Sequence, residues 1–171
     1  MSKRLRIAVL GVATVLVLAF ANLQIAGKEA VIRDGRTVLM RLAPVDPRSL
    51  MQGDYMALRY AMTEDIAAAA RTADVSDGIA IVRLDEAGEA SFVALFGNQQ
   101  IDPDQALIRF RKRGESVRIA SDAYFFEEGQ FETYRNARFG ELRVNRQGDA
   151  VLTGLRGDDG QRLGTSLHRF D

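Results

Sequence analysis

Polar and apolar positions along this chain fall into two regimes. Residues 7–27 (IAVLGVATVLVLAFANLQIAG) form a run of 21 without a charge, and Lys3, Arg4 and Arg6 stand in front of it. About 20 apolar residues span a bilayer as a helix. Cations on the N-terminal flank favour keeping that end in the cytoplasm. The expected organisation is a cytoplasmic segment 1–6, a transmembrane anchor 7–27 and an extracytoplasmic domain 28–171. A cleaved signal peptide is the rival reading, because Ala19-Phe20-Ala21 places small residues behind an apolar core. The anchor is preferred, since the apolar run continues past Ala21 through Leu23, Ile25 and Ala26. Residues 28–35 prolong the helix by a turn or two, and Gly35 suits a helix end.

From residue 36 the alternation shortens to two. Residues 36–43 read as a strand. In a second strand, 53–61, Asp54, Met56, Leu58 and Tyr60 share one face, while Tyr55, Ala57 and Arg59 share the other. Thr63-Glu64-Asp65 opens a short helix to about Thr72, with Thr63 as an oxygen-bearing cap and acids in the first turn. Asp85-Glu86-Ala87-Gly88 joins strands 78–84 and 89–96. Residues 145–149 join 141–144 to 150–155, with Gly148 available for positive φ. Residues 106–113 form a further strand, 130–137 a helix, and Asp158-Asp159-Gly160 a turn before 161–170. The pattern predicts a mainly β (β-rich α+β) ectodomain of eight or nine strands and two short helices. A Greek-key or partly closed barrel-like sheet is the expected architecture.

Composition narrows the chemistry. The 171 residues suffice for one domain plus an appendage, and an apolar fraction of 47% excludes wholesale disorder. There is no cysteine, and the single histidine, His168, sits three residues from the C-terminus. Disulfides, thiolate metal sites, His-based triads and multi-His metal centres are therefore removed, and no cofactor is expected. Residues 1–6 carry +3; the remainder holds 20 basic against 23 acidic residues, a net charge of −3. Nucleic acid needs a concentrated basic surface, so it is not an expected partner.

The densest local signal is PVDPRSLMQGDYMALRY, residues 44–60, with two of the three prolines. Pro44 and Pro47 fix φ and push Ala43 and Asp46 towards extended geometry. Gly53-Asp54 then turns into Tyr55. A stiff elbow carrying Asp46, Arg48, Ser49, Gln52 and Asp54 either binds a ligand or partner, or is braced internally by Arg48 pairing Asp46 or Asp54. Residues 53–60, Gly-Asp-Tyr-Met-Ala-Leu-Arg-Tyr, match the GDYXXLXY signature, and the chain resembles that family through the preceding DPRSLMQ and the later block YFFEEGQFETYRNARFGELR, residues 124–143. The resemblance implies a bacterial membrane-anchored protein without an assigned biochemical activity. It marks Pro47, Gly53, Asp54, Tyr55, Leu58 and Tyr60, with Tyr124, Tyr134 and Arg138 of the second block, as motif positions.

Other constellations are open to two readings. Glu127 and Glu128, between Phe125-Phe126 and Gly129, suggest a metal or acid–base pair. Strand neighbours point to opposite faces, however, and a cation wants more oxygens. Pairing of one glutamate with Arg135 or Arg138, with the aromatics in the core, is the structural alternative. Arg109, Arg111 and Arg113 make a basic stripe: either a solvated face or a site for phospholipid head groups. The order Pro47, Gly53-Asp54, Lys112-Arg113, Tyr124-Phe125, Arg138-Phe139-Gly140 is also similar to bacterial type I signal peptidases. Their serine position corresponds to Val45, four residues from the nearest serine, Ser49. A Ser49–Lys112 pair is the corresponding enzyme reading; fold order alone does not license a reaction. The leading expectation is a non-enzymatic domain that binds another membrane or envelope protein through the elbow and the 124–129 block. The two blocks should meet, with Tyr55 on Phe125 or Phe126 and Arg48 near Glu127 or Glu128.

Overall fold

The computed structural model describes residues 3–43 and 55–164. The charge-free run lies within one continuous helix, α1 (Lys3–Asp34). From Ile7 to Ile25 its large apolar side chains are exposed, from 51% for Val9 to 73% for Leu23. A core helix would bury one stripe, so this part of the helix has no protein cover. The stretch Val9–Asp34, whose most apolar 18 residues have a mean hydropathy of 2.1, is long and apolar enough to cross a membrane.

The helix ends at Gly35, whose amide donates to Val31 O at 2.9 Å. Glycine is required by close approach, not by a left-handed φ. An added Cβ would strike Val31 O and come within 3.0 Å of the Val144 backbone. The chain then enters β1 (Arg36–Arg41), β2 (Tyr55–Ala57) and α2 (Thr63–Thr72). Two hairpins follow, β3 (Asp77–Leu84) with β4 (Ala90–Leu95), and β5 (Gln105–Arg113) with β6 (Ser116–Ile119). Next come β7 (Ala123–Phe125), α3 (Phe131–Tyr134), β8 (Phe139–Val144), β9 (Ala150–Arg156) and β10 (Arg162–Leu163).

Three sheets result, ordered β1-β8-β9-β10, β4-β3-β5-β6 and β2-β7. The two four-stranded sheets are curled halves of a partly closed barrel. One seam is stitched by a parallel bridge between Leu39 and Glu89 and by a two-pronged Arg41–Glu89 ion pair, 2.7 and 2.9 Å. The other is joined where the Arg109 amide donates to Gly148 O at 2.8 Å. Between the halves, Val38, Met40 and Leu142 meet Val82, Ile108 and Phe110, all essentially fully buried. Helix α2 buries Ile66, Ala67 and Ala70 against this core. A smaller core gathers Met56, Leu58, Tyr124, Tyr134 and Leu155.

Several expectations need correction. Among the described residues of the strand expected across 53–61, only 55–57 are strand, although Met56, Leu58 and Tyr60 keep the shared buried face. Only Arg162–Leu163 of the expected strand 161–170 is strand among the described residues. Thr63 does not cap α2. Met62 occupies that position, and the Thr63 hydroxyl donates to Tyr60 O at 2.6 Å. Threonine hydroxyls bond backbone carbonyls three or four residues back as readily as they cap. Strand β6 was unforeseen. Gly114 at φ +60 starts a two-residue turn, and Arg113 pairs Ser116 across it. Gly-X is a hairpin signal of that length.

Candidate functional site

The C-terminal end of α1 is built into the domain. Val31 is buried, and Arg143 on β8 reaches back to the helix terminus. Its Nε donates to Ile32 O, its Nη2 to Arg33 O and its Nη1 to Thr37 Oγ1, each at 2.9 Å. The last carbonyls of a helix lack intrahelical partners and carry partial negative charge. A guanidinium there satisfies two of them and fixes the helix axis relative to the barrel.

Beside this root lies a cleft of about 440 Å³, walled by Glu29, Arg33, Glu141, Arg143 and Arg162 among others. Glu141 is only 6% exposed. Its carboxylate accepts from Arg156 Nε at 2.6 Å and from Thr153 Oγ1 at 3.3 Å, with Arg162 Nη2 at 3.6 Å. A buried carboxylate persists when it is paired and hydrogen-bonded. Sequence reasoning passed over Glu141, because its partners lie 12–21 residues away on other strands. An acid at an inward position of a predicted strand was the available signal.

The two motif blocks meet where they are described. Strands β2 and β7 pair antiparallel, with Tyr55 opposite Phe125, Met56 opposite Tyr124 and Ala57 opposite Ala123. The Tyr55 and Phe125 ring centroids are 5.6 Å apart. Alternation turns Met56 and Tyr124 into the core and leaves Phe125 67% exposed. Tyr134 lies edge-on to Tyr124 at 5.2 Å and stacks on Phe126 at 5.1 Å. The motif's Leu58 is buried in the same cluster. Tyr60 is 2% exposed, and its hydroxyl donates to Ser121 O at 3.0 Å. Burial pushes the Tyr60 phenol up from its ordinary value, and burial followed by the Tyr134 hydrogen bond pushes Tyr124 up to about 12. Both phenols are neutral packing groups. The described motif residues thus stitch β2 to β7 and anchor the core.

Asp46, Pro47, Arg48, Ser49, Gln52, Gly53 and Asp54 lie outside the described residues, as does His168. The Arg48–glutamate contact and the Ser49–Lys112 separation lie outside them too. Lys112 is half-buried on β5, paired with Val117, on the face opposite Arg111 and Arg113. Glu127, Glu128 and Gly129 form an exposed turn in which the Gln130 amide donates to Glu127 O at 3.1 Å and Gly129 takes φ +82. The expected pairing with Arg135 is replaced. Arg135 binds Glu132, three residues back in α3, at 2.7 Å, the spacing at which helix neighbours face each other. Arg138 is exposed, and its backbone joins β1 to β9 by bonds from Leu42 N and to Arg156 O, both 2.8 Å. Among the described residues, no group of three or more His, Cys, Asp or Glu could hold a metal ion.

Arg109, Arg111 and Arg113 share one exposed face, as the spacing predicts. They line a cleft of about 420 Å³ together with Lys28 on α1 and Arg118 on β6. Arg118 pairs across from Arg111, so it escaped the sequence reading with the rest of β6.

A family model described as GDYXXLXY protein matches residues 17–155. No curated protein and no solved structure matches the chain.

Proposed function

The chain belongs to the GDYXXLXY protein family, and from that premise we propose that it is a single-pass, membrane-anchored interaction domain. In this reading residues 7–27 sit in a bacterial cytoplasmic membrane with the N-terminus in the cytoplasm. The β domain works on the outer, periplasmic side. Its role is to bind another membrane or envelope protein, not to catalyse a reaction.

One observation carries the binding assignment. Phe125 presents a large apolar ring to solvent on a ribbon whose core-facing side chains, Met56 and Tyr124, are buried, and it stands beside Tyr55. Exposed aromatics held by a rigid strand pair lose little side-chain freedom on binding, and aromatics are enriched at the energetic centres of interfaces. The root of α1 supports the same reading. Arg143 gives the surface a fixed orientation relative to the anchor, which a partner in the same membrane would exploit.

The test is a photo-reactive phenylalanine analogue at position 125 of the full-length chain in its native membrane, with the same analogue at exposed Glu86 as control. A discrete cross-linked product from position 125 that is absent from position 86 is expected. It should disappear when Tyr55 is replaced by serine. Equal products from both positions, or none from position 125, would overturn the assignment.

A further inference from the structure

Five cations converge in the cleft at Lys28, against one lining carboxylate, Asp149. Arg109 pairs with Asp149 at 3.1 Å and Arg118 with Asp122 at 3.3 Å; Arg111 stands 4.0 Å from Asp77. All three pairs are well exposed, so their mutual attraction is weak and a stronger anion can compete. Among the described residues, Lys28 and Arg113 have no carboxylate at ion-pair distance. Clustered like charges repel, and these two cations are left without an ion pair to offset them.

The position of the cleft identifies its anion. Lys28 is the first charge after the apolar run 7–27, so it marks the level at which α1 leaves the hydrocarbon. Strand β5 runs antiparallel to the helix. Arg36, eight residues after Lys28 in the chain and just past the helix end, donates to Pro103 O and Gln105 O at the start of β5. Lys28 instead shares its cleft with Arg109 and the strand's end. Successive arginines along β5 therefore approach the bilayer, with Arg118 beside Arg111. Arginine forks match phosphate oxygens two at a time, and long basic side chains reach from a protein surface into the head-group layer.

We propose that this cleft binds the phosphodiester of an anionic lipid head group in the leaflet from which α1 emerges. The lipid would clamp the domain onto the membrane surface beside its anchor. The proposal rests on the membrane placement above and is independent of the Phe125 surface.

The test uses the full-length chain in nanodiscs, melted by near-ultraviolet circular dichroism. Nanodiscs of phosphatidylcholine alone are compared with others containing phosphatidylglycerol, and with phosphatidylcholine nanodiscs plus inorganic phosphate. Phosphatidylglycerol should raise Tm by about 5 °C, since a ligand that binds only the folded state stabilises it. The rise should be lost in an Arg111→Gln/Arg118→Gln double variant, reduced in Lys28→Gln, and kept in Arg83→Gln, which removes an exposed arginine elsewhere. An equal rise in the double variant and the wild type, or no rise at all, would overturn the proposal. An equal rise from inorganic phosphate would assign the cleft to a free anion and refute the lipid. Failure of the chain to co-purify with nanodiscs would instead refute the membrane placement.

Discussion

Replacing Arg143 with methionine keeps an apolar stem and removes the guanidinium that ties α1 to the barrel. Three hydrogen bonds of 2.9 Å disappear, two of them to the terminal carbonyls of the helix. A hydrogen bond to a charged group contributes about 1.5–3 kcal/mol, and a cation at a helix C-terminus about 0.3–1 kcal/mol more. Arg143 is half-buried, so water takes over part of this. The expected net loss is about 2–3 kcal/mol. For a domain of this size that lowers Tm by about 10 °C. The chain has no cysteine, so spin labels at Glu29→Cys and Glu86→Cys report the helix–barrel distance without background. Wild type should give one narrow distance distribution, and Arg143→Met a broad one with the lower Tm. An unchanged distribution and an unchanged Tm would refute the claim that Arg143 fixes the barrel on α1.

Glu141→Ala should cost about 3 kcal/mol in denaturant unfolding, at the lower end for a broken buried pair because Arg156 is partly exposed; no loss would show the pair to be dispensable. Tyr60→Phe removes the donor to Ser121 O without changing the ring, and should cost about 1–2 kcal/mol while leaving the fold intact by circular dichroism. Asp149 is held below its ordinary carboxylate value, first by the Asn145 hydrogen bond and then by Arg109, against the opposing effect of burial. Its folded pKa is depressed, so its stabilisation is present above the unfolded value near pH 4 and is lost as pH falls through the folded value. Melting in acid should therefore show a smaller pH dependence in Asn145→Ala than in wild type.

What the sequence made legible follows from how local each signal is. The long apolar helix rests on 21 consecutive residues. The β3–β4 and β8–β9 hairpins rest on turns that carry their own chemistry. Gly88 at φ +83 and Gly148 at φ +85 take the conformation the turn requires. The meeting of Tyr55 with Phe125 was legible because aromatic residues with no local partner must pack on something distant. The missed features depend on non-local pairing. Arg118 joins the basic stripe only through the register of β6, and Glu141 finds Arg156 and Arg162 only after β8, β9 and β10 align. Thr63 shows the opposite failure. A capping residue type was present, and the Tyr60 carbonyl captured its hydroxyl.

The proposed placement of the barrel outside the cytoplasm underlies both the partner surface and the lipid cleft. A single cysteine at Glu86, an exposed position in the β3–β4 turn, tests it with a membrane-impermeant thiol reagent added to intact cells whose outer barrier has been opened. The account predicts full labelling before lysis, with no further labelling afterwards. Labelling that appears only when the cytoplasmic membrane is broken would contradict it.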